Sequence, residues 1–379
     1  MNERSATNDV MYWVAFSRIS RIGAVRAGRL QAYFGSMGEA WTAGPDELRA
    51  SGLDLGTVTS IVEARPSISP EGEMERLDKA GVKALCWTDD AYPKHLQEIE
   101  DKPPVLYVLG DLRPEDEWAV AIVGTRRATP YGRQASEHFA TDLASHGITV
   151  VSGLARGIDA VAHRAAIAAG GRTIGVMACG LDLVYPPEHA KLAIEIAHHG
   201  AVVSDYPLGT QPRSEFFPRR NRILSGLSLG VLVVEGDDKS GALITARVAL
   251  DQNREVFAIP GSIYSPTGRG TNKLIQEGEA KLVTRTEDIL EELNLTMTTS
   301  VQQVELREVT PEDPTEARLL KLVSTQPSHI DEVQRASGLP IATVSSALAL
   351  LELKGMVRQV APMSFVRARE RRMPYSTEN

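Results

Sequence analysis

From about Trp118 onward, short apolar runs alternate with segments that have helical spacing of apolar residues. Uninterrupted apolar strands separated by helices are typical of a mostly parallel sheet covered on both faces. The pattern therefore predicts a Rossmann-like α/β domain whose ligand site lies in the loops after the carboxyl ends of the strands. The six predicted strands are residues 119–124, 148–152, 172–178, 201–206, 229–235 and 255–261.

Helical spacing of apolar residues also marks the beginning of the chain. Residues 8–65 are interpreted as short helices joined by tight turns that contain glycine. Residues 19–30 and 50–61 each place an apolar-glycine turn before a helix, the outline of a helix-hairpin-helix, whose helix N-termini can hold a phosphate. A plain helical bundle that packs on the next domain is the alternative, and it is favoured. Residues 92–112 are interpreted as a connecting stretch.

The end of the chain predicts a winged helix-turn-helix. Three helix patterns fall within about 45 residues after a polar, threonine-rich stretch, and an alternating segment typical of a hairpin follows them. Residues 341–355 would be the recognition-type helix, but they carry no Lys or Arg before Lys354, so sequence-specific duplex binding is not favoured. The tail arginines 367, 369, 371 and 372 either contact phosphate or keep the end solvated.

These patterns predict four segments. They are a helical domain of the SAM or helix-hairpin-helix type (residues 1–75), a Rossmann-like domain (76–293), a linker (294–313) and a winged-helix domain with a basic tail (314–379).

The composition is typical of a globular protein. The chain has 379 residues, of which 42% are hydrophobic, and its net charge is −8. Neither a signal peptide nor an apolar run long enough to cross a membrane is evident, so the cytoplasm is the expected location and no membrane contact is expected. The only cysteines, Cys86 and Cys179, are interpreted as buried apolar residues. Because the histidines lack metal-ligand spacing, no metal site is predicted.

The loop after the first predicted strand argues against a nicotinamide cofactor. Gly124 directly follows the strand, as in a dinucleotide fingerprint, but Arg126 occupies the position of the second glycine. The second strand ends in Ser152, and the acidic residue that would bind the ribose is missing. No cofactor is therefore predicted, and Gly124 and Thr125 are expected to form a tight turn that projects Arg126 as a phosphate donor.

Other strand-end loops also offer backbone amides to an anion. Gly153 and Gly157 allow close approach of the backbone before a helix, and Ser240 and Gly241 lead into another helix. The last loop, residues 260–272, is glycine-rich as well. Several phosphate-binding turns at one sheet edge fit a polynucleotide better than a single nucleotide.

The stretch FFPRRNRILSGLS, residues 216–228, adds arginines and an aromatic stacking surface to the same edge. Local charge decides binding despite the negative total, because charges beyond about 8 to 10 Å are screened. The alternative is that the arginines pair with acidic residues and that Phe217 belongs to the core. For Arg222 and one of the two phenylalanines the two interpretations are even, but for the whole cluster the alternative is not favoured. The cluster comprises Arg126, Arg213, Arg219, Arg220, Arg222, Phe216 and Phe217.

At these residues the sequence resembles the DNA processing protein A family, also called DprA or Smf. The resemblance covers about residues 92–290 and extends more loosely to both flanking parts. The motifs that carry it are VAIVGTRRATPYG, VSGLARGIDAVAHRAA, GRTIGVMACGLDLVYPPEH, SDYPLGTQPRSEFFPRRNRILSGLS, KSGALITARVALDQNREVFAIPG and GTNKLIQEGEAKLV.

The resemblance implies a non-enzymatic, homodimeric protein that binds and protects incoming single-stranded DNA and loads the RecA recombinase during natural transformation. The family's DNA pocket would fall on Arg126, Gly153, Phe217 and residues 220–222, with Arg213 matching more loosely. Together with the strand-end loops, the predicted nucleic-acid-binding residues are Gly124, Thr125, Arg126, Gly153, Arg156, Arg213, Phe217, Arg219, Arg220, Asn221, Arg222, Ser240 and Gly241.

Two other functions stay open at the level of sequence. A Rossmann-like phosphoribohydrolase would carry a PGGxGTxxE run with a catalytic Glu, but the corresponding KSGALITARVA has no carboxylate. Asp205 and Glu235 stand at strand ends and each has a structural explanation. A duplex-DNA regulator acting through the winged helix is the other alternative, and it would prefer particular duplex sequences.

Overall fold

The computed structural model describes residues 3–295, 313–323, 328–353, 357–361 and 363–367. These residues belong to two compact units, Met1–Thr299 and Ser300–Asn379. Nearly all of the predicted linker and the tail arginines 369, 371 and 372 lie outside the described residues. Across the described ranges, every helix is too short or too polar to span a bilayer.

Six helices begin the first unit, as the helical spacing predicts. The turn before the fifth helix is closed by a side chain: the Asp54 carboxylate accepts a hydrogen bond from the Thr57 amide (3.0 Å) and pairs with Arg26 (3.0 Å). A carboxylate therefore already occupies one of the two turns that resemble a phosphate-binding hairpin. The helices are α1 (Glu3–Ser17), α2 (Ala24–Phe34), α3 (Met37–Thr42), α4 (Pro45–Ala50), α5 (Leu55–Ala64) and α6 (Pro70–Ala80).

Nine strands of the described residues form one sheet in the order β1-β2-β6-β5-β4-β3-β7-β8-β9. The strands from β6 to β9 in this order are parallel, and all six predicted strands are confirmed within a few residues of their ends. The strands are β1 (Val82–Cys86), β2 (Val105–Gly110), β3 (Ala119–Val123), β4 (Thr149–Ser152), β5 (Thr173–Val176), β6 (Gly200–Ser204), β7 (Gly230–Val233), β8 (Glu255–Ala258) and β9 (Lys281–Leu282).

The interpretation of residues 92–112 as a connection is wrong. They contain a short helix and the antiparallel strand β2, which joins β1 to the edge of the parallel sheet at β6. Five of the six residues of β2 are apolar and its first four are buried, so the segment is part of the core. The helices that accompany the sheet are α7 (Lys94–Glu98), α8 (Pro130–Ser145), α9 (Ile158–Ala168), α10 (Ala190–His199), α11 (Phe216–Gly226), α12 (Gly241–Asp251), α13 (Arg269–Gln276) and α14 (Glu287–Glu292).

Alternate residues of β3 enter different cores, as expected for a sheet covered on both faces. Ala121 and Val123 pack with α11 and α12, whereas Val120 and Ile122 pack with α8 and α9. The chain proceeds from β3 to β6 on one side and then returns to place β7 on the other side of β3. The strand order therefore reverses between β3 and β7, which opens a crevice at their carboxyl ends.

The N-terminal helices share an apolar core with the sheet. Phe16 and Leu30 belong to the same cluster of buried side chains as Tyr107 and Val202 of the sheet. The Tyr107 hydroxyl also lies 2.7 Å from the Ser17 hydroxyl at the end of α1. The helices thus pack on the sheet, while the boundary between residues 75 and 76 stays a prediction.

The second unit has the winged-helix arrangement that the sequence predicts. Its strands form an antiparallel sheet in the order β10-β12-β11, and Leu319, Val344 and Phe365 lie in its apolar core. The described exposed side chains of its last helix are Ile, Ala, Thr, Ser and Leu, without a cation. The elements are α15 (Pro314–Leu322), β10 (Ser328–His329), α16 (Ile330–Ser337), α17 (Ile341–Leu353), β11 (Val357–Ala361) and β12 (Ser364–Arg367).

We predict that Phe16→Ala lowers the free energy of unfolding by about 3 to 5 kcal/mol, because the ring is fully buried and leaves a cavity beside Trp41, 5.0 Å away. Tyr33→Ala is the matched control, since that ring is 53% exposed, and should cost less than about 1 kcal/mol. Urea unfolding followed by circular dichroism measures both. Equal losses of unfolding free energy in the two variants would contradict the packing of α1 into a core shared with the sheet.

Candidate nucleic-acid interface

A cavity of about 710 Å³ opens at the carboxyl ends of β3 and β7, where the strand order reverses. The loop after β3, the N-terminal turns of α11 and the N-terminus of α12 form its walls. Nine of the thirteen predicted residues line it: Gly124, Thr125, Arg126, Arg213, Phe217, Arg220, Asn221, Ser240 and Gly241.

Arg220 forms the buried part of the wall. Its Nη1 donates to the carbonyl oxygens of Gly153 (2.9 Å) and Val176, the residues at the carboxyl ends of β4 and β5. Burial lowers the pKa of Arg220 to about 10, and the nearby Asp159 opposes that shift, so the side chain keeps its charge at neutral pH. A guanidinium held in this way fixes α11 to the sheet and places a positive charge at the cavity.

The loop after β4 supports Arg220. The Asp159 carboxylate accepts hydrogen bonds from the amides of Gly153 (3.1 Å) and Ala155 (3.3 Å); burial raises its pKa, and Arg220 opposes the increase. A Cβ on Gly153 would lie 2.7 Å from both Arg220 Nη2 and Asp159 Oδ2. Because the Gly153 amide is already bonded, this glycine makes room for Arg220 and does not offer its amide to a phosphate.

Aromatic rings and cations form the open side of the cavity. The guanidinium carbon of the exposed Arg126 lies 5.4 Å from the centroid of the Phe217 ring, an arrangement typical of a cation–π contact. The Tyr185 ring meets Phe217 edge-on, with centroids 5.4 Å apart. Phe216 is not part of the cavity lining and stacks on Tyr206, with centroids 4.4 Å apart. Of the two adjacent phenylalanines, Phe217 is therefore the ring that a ligand in the cavity would meet.

The N-terminus of α12 closes the opposite wall. The Ser240 hydroxyl accepts a hydrogen bond from the Ala242 amide (3.3 Å) and caps the helix, and the space around the Cα of Gly241 is open. Lys239 precedes the cap and is exposed. The positive end of the helix dipole and an ammonium group thus lie at the same wall, an arrangement that attracts an anion.

The remaining predicted residues lie outside the cavity lining. Arg222 is part of an ion pair, since its Nη2 lies 2.6 Å from Asp205 Oδ2, which is the contact that the structural alternative predicts. Arg156 bonds Glu188 at 2.5 Å, which raises the pKa of Arg156. Arg219 is exposed on α11, and Gly153 lies behind Arg220. The structure therefore brings together nine predicted residues and separates four.

The glycine-rich loop 260–272 also lies away from this cavity. Gly261, Ser262 and Gly268 line a different depression beside Glu235. The buried Glu235 carboxylate accepts hydrogen bonds from the hydroxyls of Thr129 (2.8 Å) and Thr267 (2.6 Å). This glutamate therefore ties together the loops after β3, β7 and β8 and is fully engaged in doing so.

Sequence reasoning missed several cavity residues. Tyr185, Arg127 and Lys239 line the cavity, but none was singled out. Arg127 and Lys239 are cations in loops that directly follow predicted strands, so their position was an available signal. Tyr185 lies in a long loop after β5 with no pattern that would place its ring.

Among the described residues, no group of three His, Cys, Asp or Glu side chains is arranged to hold a metal ion. The chemistry that the cavity offers is instead recognition of an anion next to a flat ring, by guanidinium, ammonium, amide and helix-terminal groups.

Comparisons with known proteins show which family the chain resembles. The family model described as DNA recombination-mediator protein A matches residues 83–294, and a model described as the DprA winged helix domain matches residues 306–361. The protein Smf of Synechocystis is 35% identical over 396 aligned residues, covering 96% of this chain and all of that protein.

Solved structures also resemble the fold, among them two of DNA processing protein A. An X-ray structure of DNA processing protein A from Streptococcus pneumoniae has 36% sequence identity and a TM-score of 0.63, and the match covers 74% of this chain and 96% of that one. A structure of DNA processing protein A from Helicobacter pylori that concerns its single-stranded DNA binding mode has 32% identity and a TM-score of 0.51, and covers 57% and 96%.

We predict that Gly153→Ala lowers the free energy of unfolding by about 1 to 3 kcal/mol, because the added methyl group collides with two buried charged side chains. Gly241→Ala is the matched control, since a Cβ there meets nothing within 4 Å, and should change stability by less than about 0.5 kcal/mol. Thermal and urea unfolding of both variants measure the difference. A Gly153→Ala protein as stable as the control would contradict the packing described for Arg220.

Proposed function

The chain belongs to the DNA recombination-mediator protein A family, and from this membership we propose that it binds single-stranded DNA in the cavity between β3 and β7. A base would stack at Phe217, and the adjacent phosphates would meet Arg126, Lys239 and the N-terminus of α12. The observation that carries the proposal is the exposed Arg126 guanidinium over the Phe217 ring, beside the charge of the buried Arg220.

Free polar groups of the cavity support a nucleic-acid ligand. Within the described part of the chain, Arg126 and Lys239 have no ion-pair partner and the side-chain amide of Asn221 makes no hydrogen bond. Arg213 lies 4.0 Å from Glu215, but both side chains are largely exposed, so this pair is weak and open to exchange with a phosphate.

The stacking surface favours a single strand over a duplex. Phe217 is half-buried and lies in a concave wall, so only an unstacked base can reach it. Stacking of a base on an aromatic ring contributes about 1 to 3 kcal/mol and tolerates any base. The exposed side chains of α17 that the structure describes include no cation or amide of the kind that reads a major groove, which argues against a duplex-DNA regulator.

The biological part of the proposal rests on the family. We propose that the protein acts as a homodimer in the cytoplasm, where it protects incoming single strands and loads the RecA recombinase on them during transformation. The name of the matching family model, a recombination mediator, supports this assignment.

We also propose that the chain is not an enzyme. The carboxylates near the cavity have structural partners: Asp159 accepts two backbone amides, Asp205 pairs with Arg222, and Glu235 binds two threonine hydroxyls. A general base must be able to reach a water beside the substrate, and these three groups are already engaged. Asp237, the other carboxylate of the cavity lining, is exposed and accepts a hydrogen bond from the Lys239 amide (2.9 Å).

We predict that an Arg126→Ala, Phe217→Ala double variant binds a fluorescent oligo-dT of about 30 nucleotides at least tenfold more weakly, and that the salt slope falls by about 0.7. The matched control is Phe216→Ala, Arg219→Ala, which removes the same two residue types from α11 at positions outside the cavity lining. Fluorescence anisotropy at several salt concentrations, with the matching duplex as competitor, measures both.

The control should stay within about threefold of the wild type. Equal losses of oligo-dT affinity in the two double variants would contradict the assignment of the cavity as the binding site. A preference for the duplex that neither variant changes would contradict it too and would favour binding through the winged helix.

A second prediction concerns catalysis. Incubation with nucleoside monophosphates should release no free base above the rate without protein, because Asp159, Asp205 and Glu235 are engaged and Asp237 of the lining accepts the Lys239 amide (2.9 Å). Liquid chromatography detects the base directly. Release that is lost in Asp159→Asn would establish a hydrolase and overturn the proposal.

A further inference from the structure

A second groove, of about 200 Å³, lies next to the cavity and is lined by five arginines. They come from the loop after β3, the first turn of α8, the loop before α9 and the body of α9, so segments far apart in sequence converge there. No carboxylate is among the residues that line the groove. The arginines are Arg126, Arg127, Arg133, Arg156 and Arg164.

These guanidiniums remain largely available. Within the described ranges, Arg127 and Arg164 are exposed and have no ion-pair partner. Arg133 donates from Nε and Nη2 to the carbonyl oxygen of Ala128 (3.2 and 3.1 Å), which orients the group without neutralising it. Arg156 pairs with Glu188, but both side chains are about half-exposed, and such pairs contribute little. The groove therefore keeps a strong local positive charge in a chain of net charge −8.

The groove is continuous with the proposed DNA cavity. Arg126 and Arg127 line both of them, so together they form the shared wall. A strand whose base stacks at Phe217 must leave the cavity past one of its walls. The shared wall carries two arginines, so it attracts the phosphates of the departing strand. Guanidinium groups bind phosphate through two parallel N–H bonds, which suits a groove that contacts backbone rather than bases. The lining contains no Phe, Tyr or Trp, and its one aromatic side chain, His189, is buried, so bases have no exposed ring to stack on in the groove.

We propose that this groove binds the phosphodiester backbone of the same strand, at the nucleotides next to the one whose base is held in the cavity. The inference rests on the proposed function and extends it: the binding site is longer than the cavity, and its second part contributes through charge alone. Crowded like charges repel one another, and phosphates relieve that repulsion.

The test compares a thymidine oligonucleotide of about 3 nucleotides, too short to fill both the cavity and the groove, with one of about 20 nucleotides. The groove variant is Arg133→Gln, Arg164→Gln. Its charge-retaining counterpart is Arg133→Lys, Arg164→Lys, and its control is Arg49→Gln, Lys79→Gln, which removes the same charge from exposed positions on α4 and α6. Thermal unfolding of each variant checks that it is folded.

For the long strand at about 0.1 M salt, the groove variant should bind at least fivefold more weakly, and its salt slope should fall by about 1.4, the value for two lost phosphate contacts. The short strand should change less than twofold. The lysine variant and the control should keep the wild-type slope with the long strand.

Failure of the inference is distinguishable from failure of the proposed function. If the wild type binds both strands and the groove variant leaves the long-strand slope unchanged, the groove is not part of the DNA path. If the groove variant weakens the two strands equally, the arginines act by a general field and the inference is overturned. If the wild type binds neither strand, the proposed function itself fails.

Discussion

The guanidinium of Arg220 is the interaction on which the cavity depends. It joins α11 to the carboxyl ends of β4 and β5 through two carbonyl oxygens, and it requires that Gly153 have no side chain. Asp159 balances part of its charge and at the same time orders the loop after β4. Because α11 is fixed in this way, Phe217 is presented toward Arg126 and the wall of the cavity is formed before any ligand arrives. Such preorganisation lowers the entropy cost of binding.

The arginines of this region divide into two classes according to what they contact. Arg220 and Arg222 are two residues apart on α11 and therefore face different directions; one binds carbonyl oxygens below the cavity and the other pairs with Asp205. Arg126, Lys239 and the arginines of the neighbouring groove stay exposed at the sheet edge. A net charge of −8 is compatible with an anionic ligand because this division concentrates free positive charge on one surface.

Much of the architecture follows from hydrophobic periodicity, and much of the site does not. The strands of the parallel sheet are buried on both faces, so their apolar runs were recognisable and their positions were predicted closely. Strand β2 was missed because it follows a proline pair and lies between β1 and β6 in antiparallel pairing, outside the β-α alternation. Arg220 and Arg222 have different contacts because one bonds the Val176 carbonyl and the other pairs with Asp205. Both partners are remote in sequence, so no local pattern could predict these contacts.

The most direct test of the central claim is photo-crosslinking of a single strand that carries 5-iodouracil, followed by identification of the attached tryptic peptide by mass spectrometry. A base that stacks in the cavity should crosslink to the peptide of residues 214–219, which contains Phe217, and Phe217→Ala should abolish the product. Crosslinks confined to the winged-helix residues, or a product in the 214–219 peptide that Phe217→Ala leaves unchanged, would contradict the account.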